Sequence, residues 1–242
     1  MAATTLYASV EDAIAADIAS GVFHPGDRLP SEHELCGRFQ VSLITVRRAV
    51  QNLIQRRMLE IRRGLGTYIL KPQIDQELTK LSGFVEDMAV HGRKATARVI
   101  SQGIVSATAR VAEHLCLSRG TRVTRIERVR LADGIPMSFD ETFLPLAIGT
   151  QVLRNDLRVK PIFTLLEEKY GIPLIEAQYK LEAVAASAAV AKALKVRCNT
   201  PIFQIERTAF TTDGKPVDYE ILSYRGDLIR FVTRLTRSGP LP

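Results

Sequence analysis

Apolar positions along the chain follow two rhythms, and the change between them divides the sequence. In roughly the first seventy residues they recur at three- and four-residue steps, the spacing of a helix face. Val10, Ile14 and Ile18 fall on one face of a helix over residues 5–21 that Gly21 stops. Val46, Ala49, Val50, Leu53 and Ile54 form a second buried stripe, and Ile44, Arg47, Arg48 and Gln51 point away from it. Between the two, Ser31 followed by Glu34 is a capping box, in which hydroxyl and carboxylate each satisfy a backbone N–H of the first helical turn. A short helix therefore opens at Ser31 and runs to about Phe39, and Ser42 opens the next, of about fifteen residues. So close a junction predicts a helix-turn-helix. Leu59-Glu60-Ile61-Arg62-Arg63 then alternates, and Gly64-Leu65-Gly66 turns the chain into Thr67-Tyr68-Ile69, a hairpin wing.

Beyond residue 70 the rhythm changes to alternation. Lys71 to Gln76 is polar, contains Pro72 and reads as a linker, placed at residues 71–77. Ser82 caps a helix that Gly92 ends. Ala112 to Arg128 then aligns without gaps with Ala191 to Arg207, 79 residues later, each copy a helix end, a turn and a strand closing on Ile-Glu-Arg. Both copies continue into hairpins, at Asp133-Gly134 and Asp213-Gly214, with one residue inserted. Two copies are too few for a solenoid and predict one sheet with internal pseudo-symmetry. Between them, Pro161–Tyr170 reads as a helix and Leu174–Val184 as a strand. The expected fold class is α+β: a winged helix-turn-helix domain over residues 1–70, and a mainly antiparallel sheet with helices over residues 78–242.

Charge is concentrated in the first part. Ser42 to Lys71 holds seven basic residues and one acidic residue, a net +6 of the chain's total of +7, whereas residues 1–41 carry −4. A basic outer face on the second helix, with Arg47 and Arg48, and on the wing, with Arg62 and Arg63, suits DNA, because arginine can donate two hydrogen bonds to guanine and also pair with phosphate. At 242 residues and 46% apolar content the chain has room for two modest cores. No apolar run approaches the ~20 residues of a membrane span, and the N-terminus carries no signal-peptide pattern. The three cysteines, Cys36, Cys116 and Cys198, are odd in number and far apart, which argues against a disulfide framework or a zinc site and for a reducing cytoplasm.

The first half resembles the GntR family of bacterial transcription regulators, on Leu29-Pro30-Ser31-Glu32, Glu34-Leu35, Val41-Ser42, Thr45-Val46-Arg47, Gly64 and Gly66-Thr67. The second resembles the UTRA effector domain of its HutC-like branch, of chorismate-lyase-like fold, on Ser82-Gly83-Phe84, Arg128-Val129-Arg130, Gly134, Pro136 and Tyr224-Arg225-Gly226-Asp227. The resemblance implies that operator DNA is met by Ser31, His33, Ser42, Thr45, Arg47, Arg48, Arg62, Arg63, Gly66 and Thr67. His33, Leu43 and Leu65 stand where relatives carry basic residues, so the operator is expected to differ or to be held less tightly. It also implies that a small anionic effector (carboxylate, phosphate or phosphosugar) is held by Arg128 and Arg130, with Ser82, Phe84, Phe163 and Tyr224 around it and Asp140 and Glu220 as acidic partners. Pro161 and Phe163 replace hydroxyl residues of sugar-phosphate-binding relatives.

The expected function is a ligand-controlled regulator, read as a repressor, which binds a palindromic operator as a homodimer without cofactor, metal or membrane. The alternative is a small-molecule enzyme of that fold fused to a DNA-binding domain. His24, His33, His91 and His114 show no metal-ligand spacing, there is no glycine-rich phosphate loop, and no serine or cysteine has a recognisable base partner.

Overall fold

A computed structural model describes residues 5–56, 58–70, 74–78 and 81–235. Arg57 and the first three positions of the expected linker, Lys71, Pro72 and Gln73, lie outside these residues. The chain divides into two compact units, the first comprising Met1–Pro72 with Met88–Thr96 and Leu131–Ile135, the second the remainder.

In the first unit, α1 (Leu6–Ser20) ends where Gly21 takes a left-handed φ of 83° and its N–H turns back onto the helix. The capping box opens α2 (Glu32–Phe39): Ser31 N donates to Glu34 Oε2 at 2.7 Å and Glu34 N to Ser31 Oγ at 3.3 Å. Gln40, at φ 52°, reverses the chain, and Ser42 caps α3 (Leu43–Gln55). The predicted apolar stripes meet in one core of Val10, Ile14, Leu35, Val46, Leu53 and Ile69, against which Ile135 also packs. β1 (Leu59–Arg62) and β2 (Gly66–Ile69) pair antiparallel as the wing.

The second unit begins with β3 (Ile74–Glu77), so the later half of the expected linker is a strand: Ile74 is buried, and the segment pairs in parallel with β10 (Ile229–Val232). Between them come α4 (Phe84–Val90), β4 (Ala95–Ser106), α5 (Ala109–His114), β5 (Arg122–Ala132), β6 (Ile135–Pro145), α6 (Leu146–Val152), α7 (Ile162–Thr164), β7 (Glu176–Ala185), α8 (Ala188–Leu194), β8 (Pro201–Phe210) and β9 (Pro216–Arg225). The helix expected over Pro161–Tyr170 is α7 running into a π-helical turn, Leu165–Lys169. The sheet order β4-β5-β6-β9-β8-β7 reads the same way from either edge: each repeat copy supplies an outer strand and a hairpin, and the copies meet at β6 and β9. Because side chains alternate between sheet faces, one face packs Ile126, Leu144 and Ala209 with the α6–α7 region, and the other packs Val123, Phe143 and Tyr219 with α5.

Candidate functional site

Two places carry the polar residues singled out in the sequence. On α3, Ile44, Arg47 and Gln51 are exposed on one stripe as expected. Arg47 Nε donates to Glu32 Oε2 at 2.8 Å, but the two side chains are 60% and 40% exposed. An ion pair that open to water contributes ~0–1 kcal/mol, so Glu32 can aim Arg47 and still release it to a stronger anion. Arg48 is exposed as well and has a second contact. Its guanidinium lies 4.2 Å from the Tyr7 ring of α1, and one turn on, Asn52 donates to Glu11 at 2.9 Å and Arg56 to Glu11 at 2.5 Å. Positions 48, 52 and 56 thus form a stripe that touches α1, beside the outward stripe that carries Arg47. The physical reason is the four-residue step, which places Arg48 above Asn52 rather than beside Arg47.

At the start of α3 the hydroxyls of Ser42 and Thr45 bond each other at 2.8 Å, while Ser31 Oγ donates to Glu34 and His33 is exposed. On the wing, Arg62 pairs with Glu60 at 2.6 Å and stacks on Tyr68, Arg63 is exposed, and Gly66 sits at φ 116°, where a Cβ would stand 2.8 Å from Arg28 Nε. A groove of about 380 Å³ runs between the start of α2 and the wing, lined by Arg28, Ser31, Glu32, Arg62, Gly66 and Thr67 among others.

The first unit also holds a buried ionic knot. Asp133 pairs with Arg56 through Oδ1 and accepts from Arg93 through Oδ2 at 3.0 Å and from Lys94 N at 3.1 Å.

The second place is on the sheet face beside the α6–α7 region. Alternation sends Arg128 and Arg130 of β5, Ser138, Asp140 and Thr142 of β6, Arg207 of β8 and Asp218 and Glu220 of β9 into one buried cluster. Cross-strand register puts Thr142, Glu220, Arg207 and Tyr179 in one row across four strands. Along that row Thr142 Oγ1 donates to Glu220 Oε1 at 2.9 Å, Arg207 pairs with Glu220 through NH2, and Arg207 NH1 donates to Tyr179 OH at 3.2 Å. Arg130 pairs with Asp140, whose Oδ1 accepts from Ser138 at 2.7 Å. Phe163 lies 4.3 Å from the Arg207 guanidinium and Phe84 5.6 Å from that of Arg130, while Tyr224 is buried nearby. Two members stay open: Arg128, whose Nε and NH2 have no hydrogen-bond partner, and Asp218, neither of whose carboxylate oxygens has one.

Electrostatics follow the pairing. Burial, helped by the Arg130 charge, pushes Arg128 down to about 10. For Glu220 burial works against ionisation, yet Arg207, Arg130 and Arg128 outweigh it and its pKa lies below the usual carboxylate range. Asp218 shows the reverse: burial first, and the neighbouring Glu220 next, raise its carboxyl well above that range.

Ser82 is not the cap expected of it. Its hydroxyl donates to Asp87 Oδ1 at 2.5 Å, the helix begins at Phe84, and Gly83 N donates to Glu86 Oε2 at 3.1 Å. The helix start is therefore already served by its own acids and offers no anion site. The Ser82 carbonyl still reaches the cluster, accepting from Arg207 NH1 at 3.4 Å. Arg207 and Asp218 escaped the sequence reading, although a signal for both was present: the 79-residue offset equates Arg207 with Arg128, and the inserted residue then equates Asp218 with Ser138.

Residues 6–69 match "Bacterial regulatory proteins, gntR family", and residues 91–230 match "UTRA domain". The chain belongs to the GntR family. HTH-type transcriptional repressor NagR of Bacillus subtilis is 30% identical over 232 residues, 96% of this chain and 95% of that protein. The probable fructoselysine utilization operon transcriptional repressor of Escherichia coli K12 is 30% identical over 224 residues, 93% and 92% of the two chains. Among solved structures, PhnF from Mycobacterium smegmatis superposes with a TM-score of 0.67 over 97% of this chain and all of its own, at 23% identity, a likeness of fold. This GntR-family chain is thus a DNA-binding transcription regulator of the HutC/NagR-like kind rather than an enzyme, with DNA as one partner and a small-molecule effector of the UTRA domain as the other. Among the described residues no helix is long and apolar enough to cross a membrane.

Proposed function

We propose that the protein is a dimeric cytoplasmic repressor whose residues 1–70 bind a palindromic operator and whose residues 78–242, joined through 71–77, bind a small anionic metabolite and hold the dimer. The observation that carries the effector reading is Arg128: a guanidinium 2% exposed, with two donor nitrogens unpartnered, in a cluster whose other arginines are paired. Such a group costs folding free energy unless something satisfies it, and a ligand anion is the natural complement. Arg130 and Arg207 hold Asp140 and Glu220 beside it, with Phe84, Phe163, Tyr224 and the Ser82 carbonyl as the surround. Repression and a polar metabolite of sugar or amino-acid type agree with the names of the relatives.

Symmetry supplies the operator reading, because one winged helix touches one half-site and a two-fold dimer matches a palindrome. The effector acts by binding one arrangement of the dimer more tightly than another; coupling of ~1–3 kcal/mol changes operator affinity roughly 5–150-fold. The test selects DNA from a random-sequence pool with the full-length protein, then titrates the selected fragment in the presence of carboxylates and phosphosugars. A palindrome bound by two chains, and an anion that shifts affinity in wild type but not in Arg128→Met, is the expected result. A non-repeated site bound by one chain, or an anion acting equally on both proteins, overturns the reading.

A further inference from the structure

This inference rests on the effector reading above and adds the chemistry of the ligand. Six ionisable side chains define the buried cluster, and four of them close on one another as Arg130–Asp140 and Arg207–Glu220. The closed acids cannot swing across to Arg128, because Ser138 holds Asp140 and Thr142 holds Glu220 by hydrogen bonds of 2.7 and 2.9 Å. The arginines are fixed as well, Arg207 against Phe163 and Arg130 against Phe84. One cation and one acid remain, Arg128 and Asp218, which are 2% and 0% exposed and lack partners on both nitrogens and both oxygens named above. A simple anion would satisfy Arg128 and would bring a second negative charge toward Asp218 and Glu220. A ligand with opposite charges at its two ends satisfies both groups.

We infer that Arg128 and Asp218 are the two poles of the effector site, and that the effector is a compact zwitterion, with a carboxylate or phosphate on Arg128 and a protonated amine on Asp218. The repeat gives this an internal comparison. The first copy has Ser138 where the second has Asp218, and the second has Ala209 where the first has Arg130, so one copy supplies the spare cation and the other the spare acid.

The proton balance is explicit. The charged groups acting on Asp218 are Glu220 on its own strand β9, Arg207 on β8, and Arg128 and Arg130 on β5; Tyr179 of β7 faces Arg207, and Asp140 of β6 and Asp87 of α4 face Tyr224. Burial, and next the neighbouring Glu220, raise the free Asp218 carboxyl well above its ordinary range and so favour its protonated form. Its O–H bond breaks as the ligand ammonium arrives, the carboxylate stays opposite the ammonium, and one proton leaves to solvent.

The experiment uses the full-length protein and two matched sets of probes: 4-aminobutyrate beside butyrate for the carboxylate arm, and phosphoethanolamine beside ethyl phosphate for the phosphate arm. Thermal shift and calorimetry in two buffers of different ionisation enthalpy are run on wild type, Asp218→Asn and Arg128→Met. In at least one arm the aminated probe should bind wild type tenfold or more tightly than its deaminated partner and release about one proton. Asp218→Asn should bring the two probes of that arm to similar affinity with no proton released, and Arg128→Met should lose both. Equal binding of both probes to wild type, abolished by Arg128→Met, overturns the zwitterion and leaves the anionic effector standing. Binding that survives Arg128→Met overturns both readings, and an aminated probe without effect in either arm overturns the zwitterion. Without ligand, both variants should melt no lower than wild type, because Arg128→Met removes an unpartnered buried charge and Asp218→Asn an unpartnered buried carboxyl. A lower melting temperature in both singles, not made worse in the double variant, would mean that the two residues compensate one another directly, and the proposal would fail.

Discussion

Arg128 and Arg207 occupy equivalent places in the two halves of one pseudo-symmetric sheet, yet only Arg207 has closed its charge, on Glu220. The difference is local. Thr142 and the β8–β9 register hold Glu220 opposite Arg207, whereas the corresponding acid of the first copy, Asp140, is taken by Arg130. Of the two pseudo-equivalent hairpins, one is thereby a fixed wall and the other an open end.

A pH dependence follows for Asp218. Its folded pKa is raised, so between the unfolded value of about 3.9 and the raised one the folded state holds a proton that the unfolded state has shed. Stability therefore falls as pH climbs through that window. Asp218→Asn removes this loss, and its advantage over wild type in chemical denaturation should grow as pH rises above about 4. An advantage that shrinks with rising pH would contradict the assignment.

The two adjacent arginines of α3 should separate cleanly. Arg47→Ala should weaken operator binding and reduce the slope of log affinity against log salt by ~0.9 for each phosphate that is no longer neutralised. Arg48→Ala should instead lower the melting temperature by a few degrees, a cation–π interaction at an exposed site contributing ~0.5–1 kcal/mol, with the salt slope little changed. Fluorescence anisotropy at several salt concentrations, beside thermal unfolding, tests both. A larger loss of DNA affinity from Arg48→Ala than from Arg47→Ala would return Arg48 to the interface.

Gly66→Ala addresses the wing. At φ 116° any Cβ is strained, and this one meets the Arg28 side chain. The variant should stay folded, because the core stripes of α1 and α3 are untouched, and it should bind the operator at least several-fold more weakly. Wild-type affinity would show that the wing does not touch DNA.

Asp133→Ala should be the most damaging single change in the first unit. The Asp133 side chain is 1% exposed, and its removal leaves Arg56 and Arg93 without the carboxylate they share. Breaking a buried pair from one side costs ~3–5 kcal/mol, which urea denaturation would resolve; a loss below ~1 kcal/mol would place the knot in solvent.

What the sequence made legible was local. The capping box at Ser31, the stop at Gly21, the cap at Ser42 and the hairpin at Asp133-Gly134 concern neighbours within a turn, and periodicity then found the core of the first unit. Less legible were second partners. The contact of exposed Arg48 with Tyr7 of α1 needs the packing of two helices to see, and Ser82 finds Asp87 five residues on instead of capping. The eight residues that the resemblance implies for the effector do lie in or beside one cluster, but Arg207 and Asp218 are tied to it by pairings across the sheet that no window along the chain displays.

The Asp133 knot bears on how such regulators can be shuffled. A hybrid gene that replaces residues 1–70 with a foreign DNA reader keeps Asp133, Arg93 and Gly134 but discards Glu11, Arg56 and Ala19, the last with its Cβ 3.2 Å from where one would stand on Gly134. The graft would then carry a buried carboxylate with one of its two arginines missing, and a hairpin tip facing an unfamiliar helix. Successful exchange of readers between sensors of this design requires the donor's equivalents of Glu11, Ala19 and Arg56 to travel with a matching hairpin, so the smallest portable cassette is a discontinuous piece of the gene.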